Sequence, residues 1–92
     1  MQTVNWNDKN FVLEKVKQRG LSLEFASAEL QKDKEVMLEA VKQNGYALYY
    51  ANKDLRNDKE VMLEAVKECG WGALQFASKE LQNDIELINL AK

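Results

Sequence analysis

Ten residues, DKEVMLEAVK, occur twice without change in this chain, at Asp33–Lys42 and again at Asp58–Lys67. A looser copy, DKNFVLEKVK, runs from Asp8 to Lys17, with Phe11 where the others have Val and Lys15 where they have Ala. The register continues past the decapeptide: Gly20, Gly45 and Gly70 coincide, as do Ala26, Ala51 and Ala77, and then Leu30, Leu55 and Leu81. A chain that repeats itself every 25 residues or so, folds as copies of one small unit, and such a unit buries its apolar face only against its neighbours. The units run 8–32, 33–57 and 58–83, with a partial fourth at 84–92, inside a single domain spanning 1–92. The third unit is one residue longer, most simply by Gly72.

Each unit opens with a helix. Asp33 is a favoured N-cap, Glu35 places negative charge in the first turn, and Lys42 places positive charge in the last. On a helical wheel Val36, Met37, Leu38, Ala40 and Val41 cover an arc of roughly 200°, wide enough to pack on two sides. The spacing predicts first helices near 8–19, 33–44, 58–69 and 84–91. Gly20, Gly45 and Gly70 are expected to stop them in the left-handed conformation open to glycine. Second helices are expected near 21–26, 46–51 and 73–77. Ser27, Asn52 and Ser78 then read as caps of a single helical turn whose Leu30, Leu55 or Leu81 enters the core. A continuous helix from Tyr46 to Arg56 is the alternative. The chain contains no proline, as suits nearly continuous helix. The fold class expected is all-α, with helix pairs stacked into a small right-handed α-solenoid-like array.

The run Asp33-Lys34-Glu35-Val36, Leu38, Ala40-Val41, Gly45, Ala47-Leu48, Ala51, Leu55, Asp58 resembles the repeat of the domain of unknown function 4116 family. The likeness covers roughly Asp8 to Ile88 and departs from the pattern at Lys15, Gly72, Ile85 and Leu90. It implies a helical repeat found in tandem within larger proteins. It implies no substrate, cofactor or catalytic residue.

Composition narrows the chemistry. The chain has no histidine, which removes His-based acid–base work, Ser-His and Cys-His nucleophiles, and nearly all zinc sites of ordinary ligand type. Thirteen basic and fifteen acidic residues give a net charge of -2, against the cationic excess that nucleic acid requires. No apolar run reaches the roughly 18–20 residues of a membrane span, and Met1 to Asp8 shows no secretory signal. The lone Cys69 fits a reducing compartment, so the expectation is a cytoplasmic monomer without cofactor, metal, nucleic acid or membrane, open to an unknown protein partner.

Cys69 lies at the negative end of a first helix, the wrong place for a reactive thiolate. The pairs Glu35/Glu39, Glu60/Glu64 and Glu64/Glu68 read as solvated faces, and Asp8, Asp33, Asp58 and Asp84 as caps. An enzyme working with paired carboxylates, the rival class, therefore finds its acids already accounted for. Tyr50 aligns with Phe25 and Phe76 and is expected in the core, its phenol needing a partner or an edge. Trp71 aligns with Leu21 and Tyr46, a position expected to pack between units. Trp6 lies outside the repeat register and is expected to cover the open end of the first unit. Tyr49 aligns with Glu24 and Gln75, so the position faces solvent. Glu24, Tyr49 and Gln75 form the candidate partner-binding row, the alternative being tolerant surface. The class expected is a non-enzymatic interaction or spacer module.

Overall fold

The computed structural model describes residues 5–92. In chain order the helices are α1 (Lys9–Gln18), α2 (Ala28–Gln31), α3 (Lys34–Gln43), α4 (Lys53–Arg56), α5 (Lys59–Cys69), α6 (Trp71–Leu74), α7 (Lys79–Gln82) and α8 (Ile85–Ala91). Two segments, Gly20–Phe25 and Gly45–Tyr50, are 3-10 helices, and no strand occurs among the described residues.

The long helices begin where the aspartates stand. The carboxylates of Asp8, Asp33, Asp58 and Asp84 accept from the backbone N–H of Phe11, Val36, Val61 and Leu87 at 3.1 or 3.2 Å. Each cap satisfies an orphan donor, worth about 1 kcal/mol. Helix α1 packs on α3, α3 on α5, and α5 on α8. Val36, Met37, Ala40 and Val41 of α3 are all fully buried, as a helix sandwiched between two others requires, and their counterparts Val61, Met62, Ala65 and Val66 are buried likewise.

The second segments differ from the expected α-helices. Bonds from Ala47 N–H to Asn44 O and from Ala51 N–H to Leu48 O close three-residue turns, as Ser22 to Arg19 and Ala26 to Leu23 do in the first unit. Residues three apart eclipse in such a helix, so Gly45, Leu48 and Ala51 share the inner row, while Tyr46 and Tyr49 share an outer one. Only the third unit forms α-helix here, in α6. Seven residues, rather than six, lead from its glycine to its aromatic position. At roughly 1.5 Å per residue in an α-helix against 2.0 Å in a 3-10 helix, the extra residue is absorbed over a similar path.

Ala51 is extended (φ -78, ψ 145), which ends the second segment and excludes the continuous helix from Tyr46 to Arg56. Ser27, Asn52 and Ser78 then cap α2, α4 and α7 by accepting from the N–H of Leu30, Leu55 and Leu81.

The glycines also depart from expectation. Only Gly70 has a positive φ, +56°; Gly20 and Gly45 do not. What they share is a close approach to the following long helix. A Cβ on Gly20 would lie 2.4 Å from the carbonyl oxygen of Ala40, on Gly45 2.8 Å from that of Ala65, and on Gly70 3.2 Å from that of Ala91. Absence of a side chain, more than a special backbone angle, explains the first two.

A charge ladder crosses the units. Lys9 Nζ reaches Asp33 (3.1 Å) and Glu35 (2.9 Å), Lys34 reaches Asp58 (3.0 Å) and Glu60 (2.8 Å), and Lys59 reaches Asp84 (3.2 Å) and Glu86 (2.7 Å). Each cap aspartate thus serves its own helix and the lysine of the preceding one. Exposed pairs of this kind contribute little individually, but the same geometry recurs at three successive helix–helix steps.

Trp6 covers the first unit as expected, half-buried with its ring 5.1 Å from Phe11 and 5.4 Å from Phe25. Its placement outside the repeat register needs correction. Asp8 N–H donates to Asn5 O as Asp33 donates to Leu30 O, and Ser27 N–H donates to Trp6 O as Ser78 donates to Arg56 O. Residues 5–8 therefore reproduce the turn that precedes each later long helix, with Trp6 at the position of Gln31, Arg56 and Gln82.

Candidate functional site

Of the six large apolar side chains exposed among the described residues, four lie on the second segments, and Ile85 and Leu90 of α8 are the others. Phe25, Tyr46, Tyr49 and Trp71 are 59%, 48%, 67% and 54% exposed. Two expectations fail here. Phe25 is not a core residue, and Tyr50 and Phe76 in its register are only half-buried. Nor are Tyr46 and Trp71 enclosed between units. The three-residue period turns Tyr46 outward beside Tyr49, whereas an α-helix would have paired it with Tyr50. The Tyr46 ring lies against Gly72 of the following unit, where a Cβ would meet the phenol oxygen at 2.5 Å.

Glu24, Tyr49 and Gln75 are all exposed, in agreement with the register argument. The Glu24 carboxylate accepts from the Tyr50 phenol at 3.1 Å, and the Tyr50 ring meets Tyr49 edge-on at 5.2 Å. Partial desolvation, then the hydrogen bond to Glu24, holds the Tyr50 phenol above its ordinary pKa. Gln75 stands apart, donating to Gly72 O at 2.9 Å, and no hydrogen bond joins it to Tyr49 among the described residues.

The backbone under this row is held in the same manner in each unit. Gln31 donates to Leu23 O and, at 3.5 Å, to Glu24 O; Arg56 donates to Tyr49 O at 3.1 Å; Gln82 donates to Gln75 O at 3.1 Å and Ala77 O at 3.0 Å. The second segments thus have their terminal carbonyls satisfied by the side chain at one register position of the following turn. The sequence reading missed this, although Gln31, Arg56 and Gln82 share one register position and all are donors.

It also missed a groove of about 600 Å³ between α4 and α7, lined among others by Lys53, Arg56, Phe76 and Lys79. Cys69 is half-buried, its Sγ 2.7 Å from where a Cβ on Gly45 would stand, so it packs against that glycine. No group of three or more metal-ligating side chains is gathered among the described residues, and no helix there is long and apolar enough to cross a membrane.

These features define an all-helical protein of recurring Asp-capped helices with aromatic side chains on the connecting segments. The family model described as "Domain of unknown function (DUF4116)" matches residues 8–56 and 58–91, and the chain belongs to that family. No curated protein and no solved structure matches it.

Proposed function

We propose that the chain is a non-enzymatic helical-repeat module, a right-handed α-solenoid-like array of about 25-residue units that presents the second segments to a protein partner. One observation carries this reading: the 3-10 geometry sets Tyr46 and Tyr49 outward in one row, with Trp71 exposed on the following unit. Monomeric proteins leave such aromatic surface uncovered chiefly where something binds, and tyrosine and tryptophan are the residues that dominate binding energy. An extent of 50 Å against 21 and 15 Å favours a linear stack with a long face. The acids support the non-enzymatic side of the reading, because caps and the lysine ladder engage Asp33, Asp58, Asp84, Glu35, Glu60 and Glu86.

Tyr49→Ala tests it. The side chain is exposed, Arg56 holds only its backbone oxygen, and its ring meets Tyr50 edge-on, so stability should fall by no more than about 1 kcal/mol. Binding to a partner captured by the wild-type protein should weaken by more than about 1 kcal/mol, about fivefold or more. Equal binding by Tyr49→Ala and wild type would remove the row from consideration.

A further inference from the structure

Lys9, Lys34, Lys42, Lys59 and Lys67 of the long helices are paired with acids, though among the described residues Lys15 and Lys17 of α1 are not. Lys53, Arg56 and Lys79 make no ion pair among the described residues, and they border the same groove between α4 and α7. Asp54 and Glu80 also line it, so three cations face two carboxylates, an excess of one positive charge in a chain of net charge -2. Arg56 is the focus. Its guanidinium lies 5.4 Å from the centre of the Phe76 ring, and among the described residues it makes one hydrogen bond, from Nη2 to Tyr49 O. Its Nε–H is shielded from solvent and has no acceptor among the described residues. With Nε shielded, the Nη hydrogens not given to Tyr49 O are the ones left for a ligand, and a guanidinium can engage a carboxylate through two parallel bonds. Phe76 and Ala77 supply apolar surface for the stem of the side chain that carries it.

The first unit shows what the groove would be without this function. There Gln31 stands for Arg56 and Ala28 for Lys53, and Gln31 still satisfies the second-segment carbonyl. The fold needs a donor at this position. It does not need a charge.

We propose that the groove between α4 and α7 binds an acidic peptide, seating a glutamate or aspartate side chain against Arg56 and between Lys53 and Lys79. This goes beyond the proposed aromatic surface and does not depend on it.

The test is a titration of the nitrogen-labelled protein with acetylated hexaglutamate, followed by amide chemical shifts at constant ionic strength. Inorganic phosphate and a single-stranded DNA oligonucleotide of equal charge serve as parallel arms. Shifts should cluster at Arg56, Phe76 and Ser78 with the peptide, and the two other anions should produce weaker ones. R56Q should weaken the peptide by about tenfold, the value of a charge-assisted bond, and should melt with the wild type because Gln31 and Gln82 already do its structural work. Should R56Q melt early, Lys53→Ala, which copies Ala28, provides the same comparison with a severalfold loss expected. Tyr49→Ala should leave hexaglutamate binding unchanged, which separates this site from the aromatic one. Shifts spread evenly along the chain, undiminished binding by a folded R56Q or Lys53→Ala, or an equal response to phosphate or DNA would each overturn the proposal.

Discussion

Gly20→Ala distinguishes the two reasons a chain has for placing glycine at the end of a helix. A new Cβ at Gly20 would stand 2.4 Å from the Ala40 carbonyl oxygen, 3.1 Å from Asn44 N and 3.2 Å from Gln43 Cβ. The first two are backbone atoms, so no flexible side chain can swing aside. Ordinary contact lies near 3.5 Å, and the second segment must therefore move off α3 by roughly 1 Å. Overpacking of this kind costs about 1–3 kcal/mol. Because φ at Gly20 is not positive, alanine also restricts the unfolded chain, returning about 0.4–1 kcal/mol. The net expectation is a loss of about 1–2 kcal/mol, which in a domain of this size lowers Tm by about 5–15 °C. Urea unfolding and a thermal melt, both followed by circular dichroism, measure it. A Gly20→Ala protein as stable as wild type, or more so, would show that the approach to Ala40 is not tight and that this explanation of the glycine register is wrong.

Two further outcomes concern the core and the ladder. Leu48 is fully buried on the inner row, so Leu48→Ala should cost about 2–5 kcal/mol, and a loss under about 1 kcal/mol in the same urea assay would refute its place in the core. Burial pushes the carboxyls of Asp33 and Asp58 up, but hydrogen bonds from the Val36 and Val61 N–H groups and from Lys9 and Lys34 outweigh it and hold both below their ordinary 3.8. At Asp84 the Leu87 N–H is the main cause, opposed by burial and aided by Lys59. Hydrogen bonds to Glu35, Glu60 and Glu86 first, then to the aspartates, raise Lys9, Lys34 and Lys59 above 10.5. A depressed carboxyl stabilises the fold above its unfolded value and loses that contribution as pH falls through the folded one. A raised lysine stabilises below 10.5 and loses its contribution as pH rises through its folded value. Melting temperature against pH should therefore decline in acid below about 4 and in base above about 10. Lys34→Met should narrow its gap to wild type at both extremes, and a gap independent of pH would separate the ladder from stability.

How far this fold was legible depended on how far each interaction reaches along the chain. The aspartate caps join residues three apart, so Asp33 and Val36 declare them within one turn. The break at Ser27, Asn52 and Ser78 was local for the same reason. The reason for Gly20 was not local, since it is the carbonyl of Ala40, and a Schellman-type stop and a close approach both ask for glycine. The 3-10 period was visible but unread: Gly45, Leu48 and Ala51 recur at three, as Gly20, Leu23 and Ala26 do, whereas the pairing of Tyr46 with Tyr50 followed from assuming an α-helix. The lysine ladder left a trace in the register of Lys9, Lys34 and Lys59, but their acids stand a full unit away and already had a role as caps and first-turn charges.

The register position of Trp6, Gln31, Arg56 and Gln82 shows how one structural duty can accommodate several surfaces. Gln31, Arg56 and Gln82 each donate to the carbonyl end of a second segment, and Trp6 and Arg56 each offer a backbone oxygen to the serine opening the next short helix. Trp6 lies on Phe25 at 5.4 Å and Arg56 on Phe76 at the same separation, one through an aromatic ring and the other through a cation. What differs is the chemistry left over once the fold is satisfied. Gln31 and Gln82 leave an uncharged amide, Trp6 leaves a half-buried ring closing the first unit, and Arg56 leaves a positive charge beside a groove. Because the folding role requires only a donor or an oxygen, substitution here alters the surface at small cost to the core, the condition under which a repeated scaffold can carry a site in one unit and none in its neighbours.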